Sequence, residues 1–234
     1  MSEPIRYELQ DGVAVVHFDD GKANVFSTEN SLALHEALDR AEQEAGALLL
    51  QGRPGLFSGG FDLALAAPDS GASPQELLEM LYQGSRAALR IFDFPIPTVA
   101  AMTGHSIAMG AITACCFDLR LLADGEFKIG VNEARLPSPF PAWALVPLRY
   151  RLAPTHVGRA LAHGELYGPA DAVAAGFADC VVPAAEVAAI AFERAKDLAQ
   201  LDSKIHAQIK RDMRRQEIDA MRQAVEDGKR GFPG

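Results

Sequence analysis

The sequence predicts an α/β protein in which strands and helices alternate along the chain. The short, fully apolar segment 47–50 has the character of a strand in a sheet that is covered on both faces, and 98–102 is predicted to be the next strand. Each follows a segment with helical periodicity, and repeated units of this kind need crossover connections. From Ala184 onward the pattern changes to amphipathic helices. With 234 residues, of which 49% are hydrophobic, the chain can form one large domain with an appendage, and we place the boundary between 1–183 and 184–234.

The N-terminal elements are a hairpin, a loop and a helix. Residues 5–18 alternate imperfectly between apolar and polar, and Asp11-Gly12 supplies a hairpin turn between two strands. A loop at 22–26 follows. Ser27 or Thr28 then caps a helix that runs to about Glu44 with its apolar residues on one side.

A pair of adjacent glycines marks the next connection. Gly59 and Gly60 lie within the segment 57–63, where they permit positive φ and a close approach of another backbone. Taken alone, such a pair fits a plain tight turn equally well. A helix is predicted from Pro74 to Phe92, and the prolines at 95 and 97 end it.

The central stretch of the chain combines a strand, a turn and a buried helix. A turn at 103–106 precedes an apolar run at 107–117, whose length and Ala and Gly content favour a helix inside the protein. This order leaves backbone N–H groups at a helix N-terminus facing a ligand oxygen. Strands at 119–123 and 127–129 follow, and then one carboxylate, Glu133. In isolation Glu133 fits an exposed glutamate in a turn.

The C-terminal half is mainly helical. The loop 137–143 contains three prolines and two aromatic residues, which predicts a rigid wall of a pocket. Further helices are predicted at 144–151, 155–163 and 169–175, with an extended piece at 181–182. Beyond them we expect two or three amphipathic helices with apolar faces formed by Val187, Ala191, Ala195, Leu198, Ile205, Ile209, Met213, Ile218, Met221 and Val225. These faces exceed what one small appendage buries, so we expect the protein to self-associate.

Composition excludes several classes of function. The net charge of −9 argues against nucleic-acid binding and against docking on anionic membranes. No apolar run reaches membrane-spanning length, and the N-terminus lacks an export signal, so a cytoplasmic protein is expected. The three cysteines, Cys115, Cys116 and Cys180, are interpreted as reduced thiols. No Cys/His pair has zinc-ligand spacing, so no metal site is predicted.

Three linked segments resemble the crotonase (enoyl-CoA hydratase/isomerase) superfamily. The segment Phe57-Ser58-Gly59-Gly60-Phe61-Asp62-Leu63 is similar to the first oxyanion-hole turn of that superfamily. Residues 101–118 resemble its second turn and helix, and 167–183 resemble its passage into the C-terminal helices. The resemblance implies a spiral of repeated ββα units with a helical C-terminal part that packs in trimers, often paired into hexamers. It also implies an acyl-CoA substrate and no cofactor beyond the coenzyme A of that substrate.

Within the superfamily, the chain is most similar to the Δ3,Δ2-enoyl-CoA isomerases. The segment Ile129-Gly130-Val131-Asn132-Glu133 matches the one in which those enzymes carry their catalytic glutamate, and 139–143 resembles their proline-aromatic loop. The resemblance assigns catalysis to Glu133 as acid and base and to the backbone N–H groups of Phe61 and Met109 as oxyanion donors. Substrate contacts are assigned to Lys22, Ala23, Asn24, Gly60, Asp62, Leu63, Gly110, Ile112, Phe140 and Trp143.

The chain departs from the superfamily pattern at two points. Ile112 occupies the position at which the hydratases carry a second glutamate, so one carboxylate of the usual pair is missing. Ala108-Met109 stands where glycines are usual, which keeps the backbone N–H but adds side chains at the acyl site. Asp62 is the remaining candidate for a substitute carboxylate.

Other interpretations stay open. A hydratase or another lyase of the same superfamily is one alternative, and an acyl-CoA-binding protein that has lost the chemistry is another. Gly104-His105-Ser106-Ile107-Ala108 resembles a nucleophile elbow, although no downstream Asp and His pair accompanies it. Lys22 and Arg53 are candidates for contacts with CoA phosphates. A basic group further along fits either the same role or a solvated helix face: Lys210, Arg211, Arg214 and Arg215.

Overall fold

The computed structural model describes residues 3–65, 67, 69–136 and 140–229, and it has the predicted α/β architecture. In chain order the strands are β1 (Ile5–Gln10), β2 (Val13–Phe18), β3 (Val25–Phe26), β4 (Ala47–Gln51), β5 (Gly55–Ser58), β6 (Gly60–Phe61), β7 (Thr98–Met102), β8 (Gly104–Ile107), β9 (Leu119–Ala123), β10 (Ile129–Gly130) and β11 (Cys180–Val182). The helices are α1 (Thr28–Glu44), α2 (Pro74–Phe92), α3 (Met109–Ala114), α4 (Leu145–Arg151), α5 (Pro154–Leu161), α6 (Pro169–Ala175), α7 (Val187–Leu198) and α8 (Ser203–Gly228). Turns of 3₁₀ helix lie at Glu133–Arg135 and Ala142–Ala144.

A six-stranded sheet in the order β1-β2-β4-β7-β9-β11 forms the main layer. β1 and β2 pair as the predicted antiparallel hairpin, and the other neighbours are parallel. The strands β2, β4, β7 and β9 are almost wholly buried, which accounts for their continuous apolar sequences. One face of the sheet packs against α7, and the other forms the main core with α1 and α2.

The spiral of ββα units is confirmed by the strand order. A three-stranded sheet, β10-β8-β5, and a two-stranded sheet, β3-β6, lie beside the main sheet, and all their pairs are parallel. Each unit places one strand in the main sheet, the next in a smaller sheet, and then a helix. The fourth unit, β9 and β10, ends in the 3₁₀ turn at Glu133 instead of a helix. Since the second strands lie side by side, the segments that follow them come together.

Local capping defines the helix starts that the sequence predicted. Ser27 Oγ accepts a hydrogen bond from Asn30 N at 3.1 Å and opens α1. Ser73 Oγ accepts from Glu76 N at 3.2 Å, while the Glu76 carboxylate accepts from Ser73 N at 2.7 Å. This reciprocal pair is a capping box, and α2 begins at the predicted residue because of it.

The segment 103–117 differs from its prediction. The expected turn at 103–106 is strand β8, and the expected helix at 107–117 is reduced to α3. Bonds to the following unit keep the chain extended, because Ser106 N donates to Lys128 O at 3.0 Å and Ala108 N donates to Gly130 O at 2.9 Å. The strand expected at 127–129 is displaced to β10 by the same pairing.

The C-terminal segment forms two helices, α7 and α8, and α8 runs over 26 residues. The second half of α8 buries Ile218, Met221 and Val225. Its first half leaves three apolar side chains exposed by 54%, 54% and 66%: Ile205, Ile209 and Met213. Among the helices of the described ranges, none combines the length and the apolarity needed to cross a membrane.

A buried carboxylate anchors α8 to the core. Asp118, just after α3, accepts hydrogen bonds from Lys210 Nζ and Arg214 Nη2, both at 2.8 Å, and from Thr98 N at 2.9 Å. Lys210 and Arg214 are each only 5% exposed, so the solvated-face prediction is wrong for these two residues. Their cations are already paired within the protein, which removes them as CoA phosphate ligands. The other two members of the basic group, Arg211 and Arg215, pair with Asp93 and Asp212.

Candidate functional site

The glycine pair shapes the first turn of the candidate site. Gly60 has φ of +108°, a conformation that L side chains rarely adopt. Ser58 Oγ accepts a hydrogen bond from Gly60 N at 3.2 Å and donates to Asn24 O at 2.7 Å, which fixes the turn against the 22–26 loop. A Cβ built on Gly60 would lie 3.1 Å from Ala108 Cβ and 3.4 Å from Met109 N. The two turns that the sequence singled out are therefore in direct contact.

The second turn reverses the chain at Ala108. This residue has φ of +53° and ψ of −123°, so the backbone is strained for a residue with a side chain. α3 begins at the next residue, Met109, and the first N–H groups of a helix have no intrahelical partner. Gly110 lets α3 lie against β5, because a Cβ there would stand 2.5 Å from Ser58 O.

Glu133 lies just beyond the strand that holds Ala108. Gly130 O accepts the Ala108 N–H, and the chain then passes through Asn132 into the 3₁₀ turn that Glu133 opens. The side chain of Glu133 is half-buried, and its Oε2 is buried without a hydrogen-bond partner among the described residues. Burial raises the pKa of Glu133, against a smaller lowering by the backbone N–H groups of Glu133 and Asn132. The interpretation of Glu133 as an exposed surface residue is wrong.

The position of the missing second carboxylate is apolar in the structure as well. Ile112 is 1% exposed in α3 and belongs to the main core. Asp62, the possible substitute, accepts a hydrogen bond from Ala64 N at 3.1 Å, so one oxygen caps its own loop. Leu63 beside it is 65% exposed. Of the two candidate carboxylates, Glu133 is thus the half-buried one whose Oε2 has no partner among the described residues, while Asp62 is engaged in its own loop.

The predicted CoA loop divides into buried and exposed parts. Asn24 is fully buried, and its side-chain amide donates to Phe18 O at 2.7 Å and Phe57 O at 3.2 Å while its Oδ1 accepts from Asp20 N. The Asn24 side chain holds the loop together, and its backbone is engaged as well, because Asn24 N donates to Asp20 Oδ1 at 2.8 Å and Asn24 O accepts from Ser58 Oγ at 2.7 Å. Ala23 O accepts a bond from Gly59 N at 2.8 Å. Lys22 is exposed, and its backbone carbonyl accepts a hydrogen bond from the Arg53 guanidinium, which brings the Arg53 side chain to this loop.

The aromatic loop borders an apolar cavity. Trp143 is 5% exposed, and Phe140 is half-buried against the core. A cavity of about 220 Å³ lies between Trp143, α2 and the end of α8, with Leu81, Ser85 and Val225 in its wall. The loop residues 137–139 lie outside the described residues.

Two residues of α2 belong to this region although the sequence analysis did not single them out. Tyr82 lines the cavity and donates its hydroxyl to Glu226 Oε1 at 3.2 Å, which ties α2 to the last turns of α8. Gly84 lies in the helix interior against the ring of Phe61. The available signal for Gly84 was a lone glycine inside an otherwise helical pattern, which usually has a packing reason.

The arrangement does not support a serine nucleophile. Ser106 is fully buried in β8, and its hydroxyl has no partner among the described residues. The side chain of His105 lies on the opposite face of the strand, where its Nδ1 accepts a hydrogen bond from Lys128 N at 3.0 Å.

A sequence model of the family described as enoyl-CoA hydratase/isomerase matches residues 8–232. Human mitochondrial enoyl-CoA delta isomerase 1 is 33% identical over 180 residues, which are 75% of this chain and 59% of the human protein. The chain therefore spans less than two thirds of the length of that curated relative.

Two solved structures resemble the whole chain. An enoyl-CoA hydratase from Mycobacterium ulcerans superposes with a TM-score of 0.93 at 32% identity, over 99% of this chain and 100% of the other. An enoyl-CoA isomerase from Mycobacterium tuberculosis superposes with a TM-score of 0.92 at 33% identity, over 99% and 100% of the two chains. The names of its relatives thus include both a hydratase and an isomerase, and the M. tuberculosis protein is named an isomerase in one solved structure and a probable enoyl-CoA hydratase in another.

Proposed function

The chain belongs to the enoyl-CoA hydratase/isomerase family, and we propose that within it the chain acts as a Δ3,Δ2-enoyl-CoA isomerase. The observation that carries this choice is the single half-buried carboxylate, Glu133, with Ile112 where a second one would be needed for hydration. The raised pKa of Glu133 and its unpartnered Oε2 suit a group that takes up and returns a proton. The isomerase names of two relatives support the same choice.

The proposed mechanism uses one carboxylate and two backbone donors. The thioester oxygen of a 3-enoyl-CoA lies between the N–H groups of Phe61 and Met109. Each donor stabilises the developing enolate by about 3 kcal/mol in the transition state. Glu133 removes a proton from C2, giving a dienolate, and returns it at C4 to form the conjugated 2-enoyl-CoA. Because Glu133 returns the proton that it removed, the reaction needs neither a redox cofactor nor a metal.

The surroundings of Glu133 favour return of the proton to carbon. In this proposal the side chain of Ile112 faces C3 of the acyl group, where its methyl and methylene groups hold no water for attack. Burial raises the pKa of Glu133 toward the working range of a general base. The rate of isomerisation should therefore rise with pH through a pKa above the ordinary glutamate value.

Substrate binding is proposed on two further features, a cavity for the acyl chain and cations for the phosphates of coenzyme A. The cavity beside Trp143 accepts the acyl chain, and its wall is mostly apolar. We propose that the exposed Lys22 binds the phosphates of coenzyme A, together with Arg53, which is half-buried and has its Nε 3.9 Å from Asp19 Oδ1. We also propose that residues 184–234 mediate assembly into trimers, with the exposed Ile205, Ile209 and Met213 as part of the contact.

Hydration of 2-enoyl-CoA is the second candidate, because the M. ulcerans neighbour is named a hydratase. A parallel assay separates the two. The purified chain is given 3-enoyl-CoA and the ultraviolet absorbance of the conjugated thioester is followed as it appears. The chain is also given 2-enoyl-CoA, and loss of the same absorbance reports hydration. We expect isomerisation to be the faster reaction by a wide margin. Faster hydration would reject the isomerase assignment.

A further inference from the structure

The side chains of both proposed oxyanion residues, Phe61 and Met109, lie against one glycine of α2, Gly84. A Cβ built on Gly84 would lie 2.5 Å from Phe61 Cε1, 3.0 Å from Phe61 Cζ and 3.6 Å from Met109 Cε. We propose that Gly84 is a positioning residue for the oxyanion hole, because it sets how closely the Phe61 and Met109 segments approach each other. The proposal rests on the donor roles assigned above.

The glycine is not explained by helix formation. Gly84 is buried in the interior of the 19-residue helix α2, whose start is already fixed by its capping box. Glycine inside a helix is destabilising relative to alanine, so its presence needs a packing reason. The missing side chain leaves a notch, and the edge of the Phe61 ring occupies it.

The Phe61 side chain is half-buried, and its ring is packed on a second side as well as against the notch. Phe26 lies on another side of it, with the two ring centroids 6.5 Å apart and the planes at 69°. Phe26 is itself 1% exposed, and it is paired with Phe61 across β3 and β6. Phe26 opposes displacement of the ring in its direction, so we expect part of a push from α2 to reach the backbone of β6, which carries the Phe61 N–H.

The size of the effect follows from the contact distance. The ring edge must retreat by about 1 Å to restore an ordinary contact with an added methyl group. A misplacement of about 1 Å at a reacting group costs up to roughly 10²-fold in rate, and complete loss of one oxyanion donor costs about 10²–10³-fold. Gly84→Ala should therefore lower kcat by about 10- to 100-fold. KM should change by less than about threefold, because the three atoms nearest to the added methyl group belong to Phe61 and Met109 and not to the CoA loop at 22–24.

The test is a double-mutant cycle with Gly84→Ala, Phe61→Leu and the two combined. Leucine keeps the backbone N–H and removes the ring edge that meets the new methyl group. Gly158→Ala is the matched control, because Gly158 is also inside a helix and an added Cβ there meets nothing within 4 Å. Two readouts are taken: kcat and KM for 3-enoyl-CoA, and the near-ultraviolet enolate band of bound acetoacetyl-CoA. The band reports stabilisation of the thioester oxygen whichever reaction the protein catalyses.

We expect Gly84→Ala to lower kcat and weaken the enolate band in the wild-type background. In the Phe61→Leu background, the same change should alter neither readout by more than about twofold, and Gly158→Ala should alter neither. If Gly84→Ala has no effect, or has the same effect in both backgrounds, Gly84 does not position the donors. If the single variant does not fold, folding of the double variant supports the contact, whereas loss of folding in both backgrounds overturns it.

The two proposals fail in distinguishable ways. A wild-type chain that does not isomerise 3-enoyl-CoA rejects the isomerase assignment, and the enolate band then decides the role of Gly84 alone. Absence of that band from the wild-type complex rejects both.

Discussion

Replacing Glu133 by glutamine tests the proposed base directly. The amide keeps the size of the side chain but cannot accept a proton from carbon. General base catalysis contributes about 10²–10⁴-fold, equivalent to about 3–5 kcal/mol of transition-state stabilisation. Since Ile112 offers no second carboxylate, we expect Glu133→Gln to lose activity near the upper end of that range. Binding of the acyl-CoA should persist, because the turns and the CoA loop are unchanged.

The same substitution should have the opposite effect on stability. Burial raises the pKa of Glu133 in the folded protein, so its ionised form is disfavoured there relative to the unfolded chain. The stability associated with this group is present at low pH and is lost as pH rises through the raised pKa. Glu133→Gln removes the charge, so the variant should unfold at a slightly higher temperature than wild type at pH 8. The difference should shrink below the ordinary glutamate pKa.

The assay is steady-state isomerisation of 3-enoyl-CoA combined with thermal unfolding at pH 4 and pH 8. Glu126→Gln is the control, because Glu126 is exposed and lies a few residues upstream. The control should match wild type in both measurements. A Glu133→Gln protein that keeps more than about one third of the wild-type kcat would show that another group removes the proton. A variant that is both inactive and less stable than wild type at pH 8 would place Glu133 among the structural residues.

Three further predictions concern the pocket, the anchor and the surface of α8. Ile112→Glu should slow isomerisation and add measurable hydration of crotonyl-CoA. It should also lower folding stability, because it buries an acid. A variant that still isomerises at the wild-type rate would contradict the role given to the Ile112 side chain. Asp118→Asn leaves Lys210 and Arg214 buried without their carboxylate, which should cost about 3–5 kcal/mol and lower Tm by about 10 °C in calorimetry. Burial alone would raise the pKa of Asp118, but Lys210 and Arg214 hold that pKa below its ordinary value. The contribution of Asp118 to folding stability is therefore lost as pH falls through the acidic range. Asp118→Asn should flatten that part of the profile of stability against pH. Ile209→Glu should convert a trimer into single chains in light scattering with unchanged helix content, and a wild-type protein that is already monomeric at micromolar concentration would refute the trimer.

Elements with local signals could be predicted from the sequence, and elements defined by distant partners could not. The start of α2 follows from Ser73 and Glu76, and the end of α6 follows from Gly176, whose φ is +94°. The turn expected at 103–106 is instead a strand, because its backbone groups pair with residues of the next unit. Helical periodicity in the apolar run at 107–117 gave no sign of the reversal at Ala108.

The candidate site shows the same division. The resemblance to the superfamily singled out Gly60, Glu133 and the Ile112 position, and the structure brings the Gly60 and Ala108 turns into contact. The buried role of Asn24 depends on carbonyl groups more than 30 residues away, at Leu56 and Phe57, so local sequence could not reveal it. The pairing of Lys210 and Arg214 with Asp118 spans 92 and 96 residues. Such long separations in sequence are invisible to periodicity and composition.

The pairing of the second strands of successive ββα units in one small sheet also governs when the site can form during folding. β5, β8 and β10 are parallel neighbours contributed by three successive units, and no two of them are joined by a hairpin. Pairing these strands requires the long chain segments between them to be ordered first. Such pairs therefore form slowly in comparison with contacts between residues that are close in sequence. The Ala108 reversal depends on a bond from the third unit to the fourth, and the Gly60 turn depends on the first and second. A nascent chain that has emerged only as far as α2 therefore holds neither the second turn nor the glutamate, and binding competence arrives only after most of the spiral has been assembled.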